Sequence, residues 1–144
     1  MQALTYSCYQ MYARMNTGIS PEYVEFVAGQ DFKVGPVAPH YLLRPEAVES
    51  FYILNFLTGD PIYREWGWEV FQSIEKYCKT NVAYGSIGNV QNKHSKPRDD
   101  MESFFLAGTP MLRGPTPFKL LKLSSPGHRF QSLSRNPQIS LLVA

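Results

Sequence analysis

The sequence is poor in cysteine and has no long apolar run. Cys8 and Cys78 are too few for a disulfide-dense scaffold, and they fit no zinc spacing with His40, His94 or His128. No stretch of about 18 uninterrupted apolar residues occurs, which excludes a membrane-spanning helix of that kind within the chain. The segment from Met1 to Met15 is amphipathic and lacks a basic region followed by an apolar one, so no signal peptide or other targeting segment is expected in this chain. Gly85-Ser86-Ile87-Gly88 is not a phosphate loop, because it lacks both the Lys and the following helix. The last absence is regional: residues 109–144 contain no Asp or Glu.

What is present is a 144-residue chain, 44% hydrophobic and 18% charged, long enough for one folded core. Residues 1–108 hold nine Lys/Arg against twelve carboxylates, a balance of −3. Residues 109–144 hold five basic residues (Arg113, Lys119, Lys122, Arg129 and Arg135), a balance of +5, with five of the eleven prolines. The composition therefore shifts near Gly108 and divides the chain into 1–108, expected to fold, and 109–144, a Pro-rich basic tail expected to be disordered. The tail has no aromatic interleaving beyond Phe118 and Phe130, so no nucleic-acid partner and no membrane contact are expected.

The periodicity predicts a mainly helical chain. Leu4, Cys8, Met11, Tyr12 and Met15 recur at helical spacing and predict a helix ending near Asn16. Tyr23 to Val27 reads as a short extended piece and 28–43 as a long loop. A helix is expected from Pro45, a residue tolerated at the first helical position, to Thr58-Gly59, where Gly suits the C-terminal cap. Its middle, Phe51 to Leu57, is apolar nearly all round, the pattern of a helix buried on both sides. Asp60-Pro61 signals the next helix, with a stripe of Tyr63, Trp66, Val70, Ile74 and Tyr77. Ala83 to Val90 reads as extended with turns, Gln91 to Arg98 as a polar loop. A short fourth helix is expected from Asp99 through Ala107, stopped by Gly108-Thr109-Pro110, its carboxylates suiting the positive N-terminal end.

The densest polar cluster is Arg44-Pro45-Glu46-Ala47-Val48-Glu49. Three-residue spacing puts Glu46 and Glu49 on one face of a first helical turn, with Arg44 just before them. Paired carboxylates beside a guanidinium suit acid or base work at a glycosidic oxygen. They equally suit the helix dipole, which favours Glu in a first turn. Glu22, after Ser20-Pro21, reads on its own as a solvated turn residue.

Longer motifs add to this. Cys8 to Tyr12, Thr17 to Glu22, Leu43 to Ser50, Thr58 to Asp60, Tyr63 to Glu69 and Met101 to Ala107 resemble, in order, the class I α-1,2-mannosidases, glycoside hydrolase family 47. The resemblance covers the C-terminal part of that family's catalytic domain. It implies part of an (α/α)7 barrel: a few helices with short extended pieces. It also implies calcium dependence and removal, with inversion, of α-1,2-linked mannose from high-mannose N-glycans in the secretory pathway, in the endoplasmic reticulum or Golgi. Carried over residue by residue, Glu46 looks like the catalytic base that activates water, and Glu22 matches a further acidic position of the active site. Arg44 and Glu49 match residues lining the sugar and calcium pocket, and Phe104 matches an aromatic beside the bound mannose.

The departures are as specific. The family's upstream Glu and Asp, which complete the catalytic set, have no counterpart here. Members place a Glu after Phe-Phe-Leu-Ala, where this chain has Gly108. The basic tail stands in place of the segment leading to the Thr that ligates calcium. No metal ligand is therefore expected in this chain, nor mannosidase activity from the chain alone. Cys8 resembles half of a family disulfide whose partner lies upstream, and is expected to be unpaired. The competing expectation is a small helical module that binds a glycan or a protein without catalysis.

Overall fold

The computed structural model describes residues 2–29 and 31–108; the Pro-rich tail assigned to 109–144 lies outside the described residues. Four helices follow one another, with a small hairpin between the first two. They are α1 (Gln2–Ala13), β1 (Val24–Glu25), β2 (Lys33–Val34), α2 (Glu46–Thr58), α3 (Pro61–Tyr77) and α4 (Ser103–Gly108).

Helices α2 and α3 follow their punctuation. Gly59 adopts φ 72° beyond α2, and its N–H donates to the Asn55 carbonyl, the left-handed cap that glycine adopts without a Cβ penalty. The Asp60 side chain then accepts from the Ile62 N–H at 3.0 Å and caps α3, with Pro61 in its first turn. Pro45 is the cap of α2 rather than its first helical residue. Helix α2 packs most extensively on α3 and also on α1. Phe51, Leu54, Tyr63, Val70 and Ile74 lie at the centre of the core.

Four local expectations are corrected. Helix α1 stops at Ala13 rather than Asn16, and Thr5 rather than Leu4 faces inward, at 5% exposure against 72%. The segment 28–43 is not all loop: Lys33–Val34 pairs antiparallel with Val24–Glu25, and Lys33 bridges Glu25 at 3.5 Å. The fourth helix begins at Ser103, not Asp99. The Asp100 carboxylate instead accepts from the Ser86 hydroxyl at 2.6 Å and the Ser86 N–H at 3.1 Å, which ties the chain to 83–90 before the helix can start. Finally, α2 is covered on one side only among the described residues, since Ile53, Phe56 and Leu57 stand exposed.

The stretch after α3 holds the site's floor. Ile87 exchanges both backbone hydrogen bonds with Tyr41, at 2.9 and 3.1 Å, and Arg98 N–H donates to the Ser86 carbonyl at 2.8 Å. A Cβ at Gly85 would collide with the Arg98 carbonyl, so this close backbone approach requires glycine. Among the described residues, no helix is long and apolar enough to cross a membrane.

Candidate active site

Glu22 follows the Ser20-Pro21 turn, and its N–H donates to the His40 carbonyl at 3.0 Å, laying the turn against the strand-like run into α2. Its carboxylate is fully engaged. Oε1 accepts from the Leu42 N–H at 2.9 Å and Oε2 accepts from the Arg44 Nε–H at 2.6 Å. The Glu22 side chain is 11% exposed and that of Arg44 47%, so this charge-assisted bond has one screened and one open end. The hydrogen bond and charge of Glu22 raise the pKa of Arg44, with Glu46 and Glu102 adding to it against partial desolvation. The Arg44 guanidinium also lies 5.6 Å from the centre of the Phe104 ring, in cation–π contact.

Between Leu42 and Arg44, Leu43 is fully buried and adopts φ 62°. A non-glycine residue in the left-handed region costs on the order of 1–2 kcal/mol, and such strain persists where surrounding contacts over-determine it. Here those contacts are the Glu22 bonds on either side of it and the Tyr41 hydroxyl, which donates to the Arg44 carbonyl at 3.0 Å.

These groups border a cleft of about 150 Å³ whose wall includes Cys8 and Tyr12 of α1, Glu22, Tyr41, Arg44 and Glu46. Glu46 opens α2 and is exposed. Unlike Glu22, its carboxylate has no hydrogen-bond or ion-pair partner among the described residues, so its oxygens are free to accept a proton from water. Glu49 sits in the same first turn, half-buried, but does not line the cleft. The structure thus gathers Glu22, Arg44, Glu46 and Phe104 and leaves Glu49 one helical step aside. Tyr12 and Tyr41 beneath them meet ring edge to ring face, and burial pushes both phenols well above their ordinary values, so both stay neutral.

Calcium does not fit the described residues. It takes six to eight oxygen ligands, yet no three His, Cys, Asp or Glu side chains converge among the described residues. Cys8 and Cys78 are both free thiols.

Residue spacing alone missed Tyr41, Leu43 and Glu102. Leu43 opens the Leu43 to Ser50 motif and Tyr41 lies two residues before it, but nothing in their type announces a left-handed turn or its tie.

The Glycosyl hydrolase family 47 model matches residues 2–110. The endoplasmic reticulum mannosyl-oligosaccharide 1,2-alpha-mannosidase of Rattus norvegicus is 47% identical over 115 residues, covering 75% of this chain and 18% of that protein. Mannosyl-oligosaccharide 1,2-alpha-mannosidase IC of Homo sapiens is 40% identical over 107 residues, covering 74% of this chain and 17% of that protein. Among solved structures, an alpha-1,2-mannosidase from Trichoderma reesei superposes with a TM-score of 0.63 at 34% identity, over 72% of this chain and 25% of that one. The chain thus spans less than a fifth of these curated relatives and carries a mainly helical part of the (α/α)7 barrel. From the ordered motifs, the helical packing and these matches, the chain is a member of glycosyl hydrolase family 47.

Proposed function

We propose that residues 2–108 form one wall of an α-1,2-mannosidase site, with high-mannose N-glycans as its substrate class and the secretory pathway as its setting. The observation that carries this reading is the contrast between two carboxylates in one cleft: Glu22 is tied to Arg44 and Leu42, while Glu46 has no hydrogen-bond or ion-pair partner among the described residues. Glu46 takes the proton of the water that attacks the anomeric carbon. Glu22 is the fixed charge that holds Arg44 toward the sugar hydroxyls, and Phe104 offers a ring to the mannose. Glu49 supports the pocket from the next position on α2.

Inverting hydrolysis needs a second carboxyl across the sugar, about 6.5–9.5 Å from the base, to protonate the leaving oxygen. Glu22 cannot serve without giving up its pair with Arg44. Among the described residues no three His, Cys, Asp or Glu side chains converge on a metal site, although the family resemblance implies calcium. The chain by itself is therefore a binding wall without turnover.

The test has two arms. Purified chain incubated with calcium and a high-mannose glycan is expected to release no mannose above a blank; release would overturn the assignment of inactivity. Titration with α-1,2-mannobiose, followed by NMR, is expected to shift the Arg44, Glu46 and Phe104 signals, and Arg44→Ala is expected to abolish the response. Shifts confined to other surfaces would sink the wall. A second reading, a protein-binding module, is favoured by exposed Ile53, Phe56 and Leu57 on α2; it predicts association without any response to the sugar.

A further inference from the structure

The left-handed turn at Leu43 delivers Arg44 to Glu22, and the chain has to hold that turn. Three hydrogen bonds span it. Glu22 takes the N–H of Leu42 before the turn and the Nε–H of Arg44 after it. The third bond comes from outside the pair: the Tyr41 hydroxyl donates to the Arg44 carbonyl at 3.0 Å. Tyr41 is itself immobilised. It is 2% exposed, exchanges two backbone bonds with Ile87 and meets the Tyr12 ring edge-on. A rigid phenol thus grips the backbone of the residue whose side chain faces the cleft.

We propose that Tyr41 is a positioning residue: its hydroxyl, on the Arg44 carbonyl, keeps the Leu43 turn left-handed and so keeps the Arg44 guanidinium on Glu22. Left to its own preference, Leu43 returns to a right-handed or extended backbone. That rotation turns the Arg44 Cα–Cβ direction away from Glu22, leaves the carboxylate held by the Leu42 N–H alone, and opens the cleft wall beside Glu46. Tyr12 backs the phenol from α1, which links the first helix to the site. The value of this device for sugar binding rests on the wall reading above; the device itself does not.

The Arg44 Nε–H proton reports on it directly, because the bond to Glu22 retards its exchange with water. In the full chain labelled with 15N-arginine, Tyr41→Phe keeps the ring and removes the hydroxyl. Arg44 Nε–H exchange is expected to quicken by tenfold or more, toward the rate in Glu22→Gln, while the Ile87 amide stays protected. An unchanged Arg44 signal in folded Tyr41→Phe would overturn the proposal. If Tyr41→Phe does not fold, 3-fluorotyrosine at position 41 decides. It retains the ring and strengthens the donor, so Arg44 exchange is expected to slow, and an unchanged rate overturns the proposal. α-1,2-Mannobiose separates the two claims. If the sugar leaves Arg44 unmoved while Tyr41→Phe releases it, the wall reading fails and the positioning role stands.

Discussion

Helix α3 hides Tyr63, Gly67, Val70 and Ile74 and turns Glu65, Glu69 and Lys76 to water. Helix α2, two residues away, hides Val48, Phe51 and Leu54 yet leaves Ile53, Phe56 and Leu57 at 46%, 70% and 66% exposure. Both helices meet the same core, so the difference lies in their outer faces. The residues of α3 match the surroundings they have here. Those of α2 suit a helix covered on two sides, and the described residues cover one. That is how a barrel helix looks when a chain spans a small part of its relatives' length. The polar N-terminal turn of α2 places Glu46 at the cleft, so the same helix also lines the candidate site.

The largest effect should separate the two faces of α2. Phe51→Ala removes a ring packed edge-on against Tyr9 and Trp66 and is expected to cost about 3–5 kcal/mol in urea unfolding. Phe56→Ala, the same change on the outer face, should stay within about 0.5 kcal/mol. Equal losses would break the comparison.

The sealed end of α3 can be probed by pH. Burial pushes the Cys78 thiol from 9.0 up to about 12. The folded state therefore holds a proton that the unfolded chain releases, and its contribution is whole below 9.0 and lost as the pH rises toward 12. The expected loss is roughly 1.4 kcal/mol per pH unit in that window. Tyr9, also raised to about 12, chiefly by burial and then by Glu69, acts in the same direction. Urea midpoints measured through the window should fall less steeply in Cys78→Ala; an identical slope would show that Cys78 contributes nothing.

The link between the helices should respond next. Gly59→Ala meets no atom within 4 Å, so only the left-handed backbone is strained, and the expected cost is about 1–2 kcal/mol. Asp60→Ala removes the α3 cap at about 1 kcal/mol. Thermal or urea unfolding ranks the two, and a null effect at both would show that the link does not define either helix.

The smallest stability change should come with a large change in association. Phe56→Lys combined with Leu57→Lys is expected to alter unfolding by less than about 0.5 kcal/mol. Sedimentation should show reduced self-association of the chain. Unchanged association would mean that the bare face of α2 is tolerated by water.

Elements with strong local punctuation were legible. Thr58-Gly59-Asp60-Pro61 marks the junction of α2 and α3 because each residue there serves a cap or a first turn. Asp99 to Glu102 misled, since a carboxylate suited to a helix N-terminus was taken by Ser86, a partner fourteen positions away. Leu4 and Thr5 exchanged roles because the buried side of a weakly amphipathic helix is chosen by its neighbours. In the site, Glu46 beside Arg44 is visible as spacing, whereas the Glu22–Arg44 pair joins residues 22 positions apart, and only the family motifs brought Glu22 forward.

The sequence by itself determined the existence of the helices, the caps at the Gly59-Asp60 link and the family, because propensity, capping and long ordered motifs are properties of neighbouring residues. Tertiary structure alone decided which carboxylate is paired and which is unpaired among the described residues, that Leu43 is held left-handed, and that the described residues leave one face of α2 uncovered. Each of these depends on what lies across space from a residue, and a hydrogen bond or an uncovered side chain has no signature in the order of the chain.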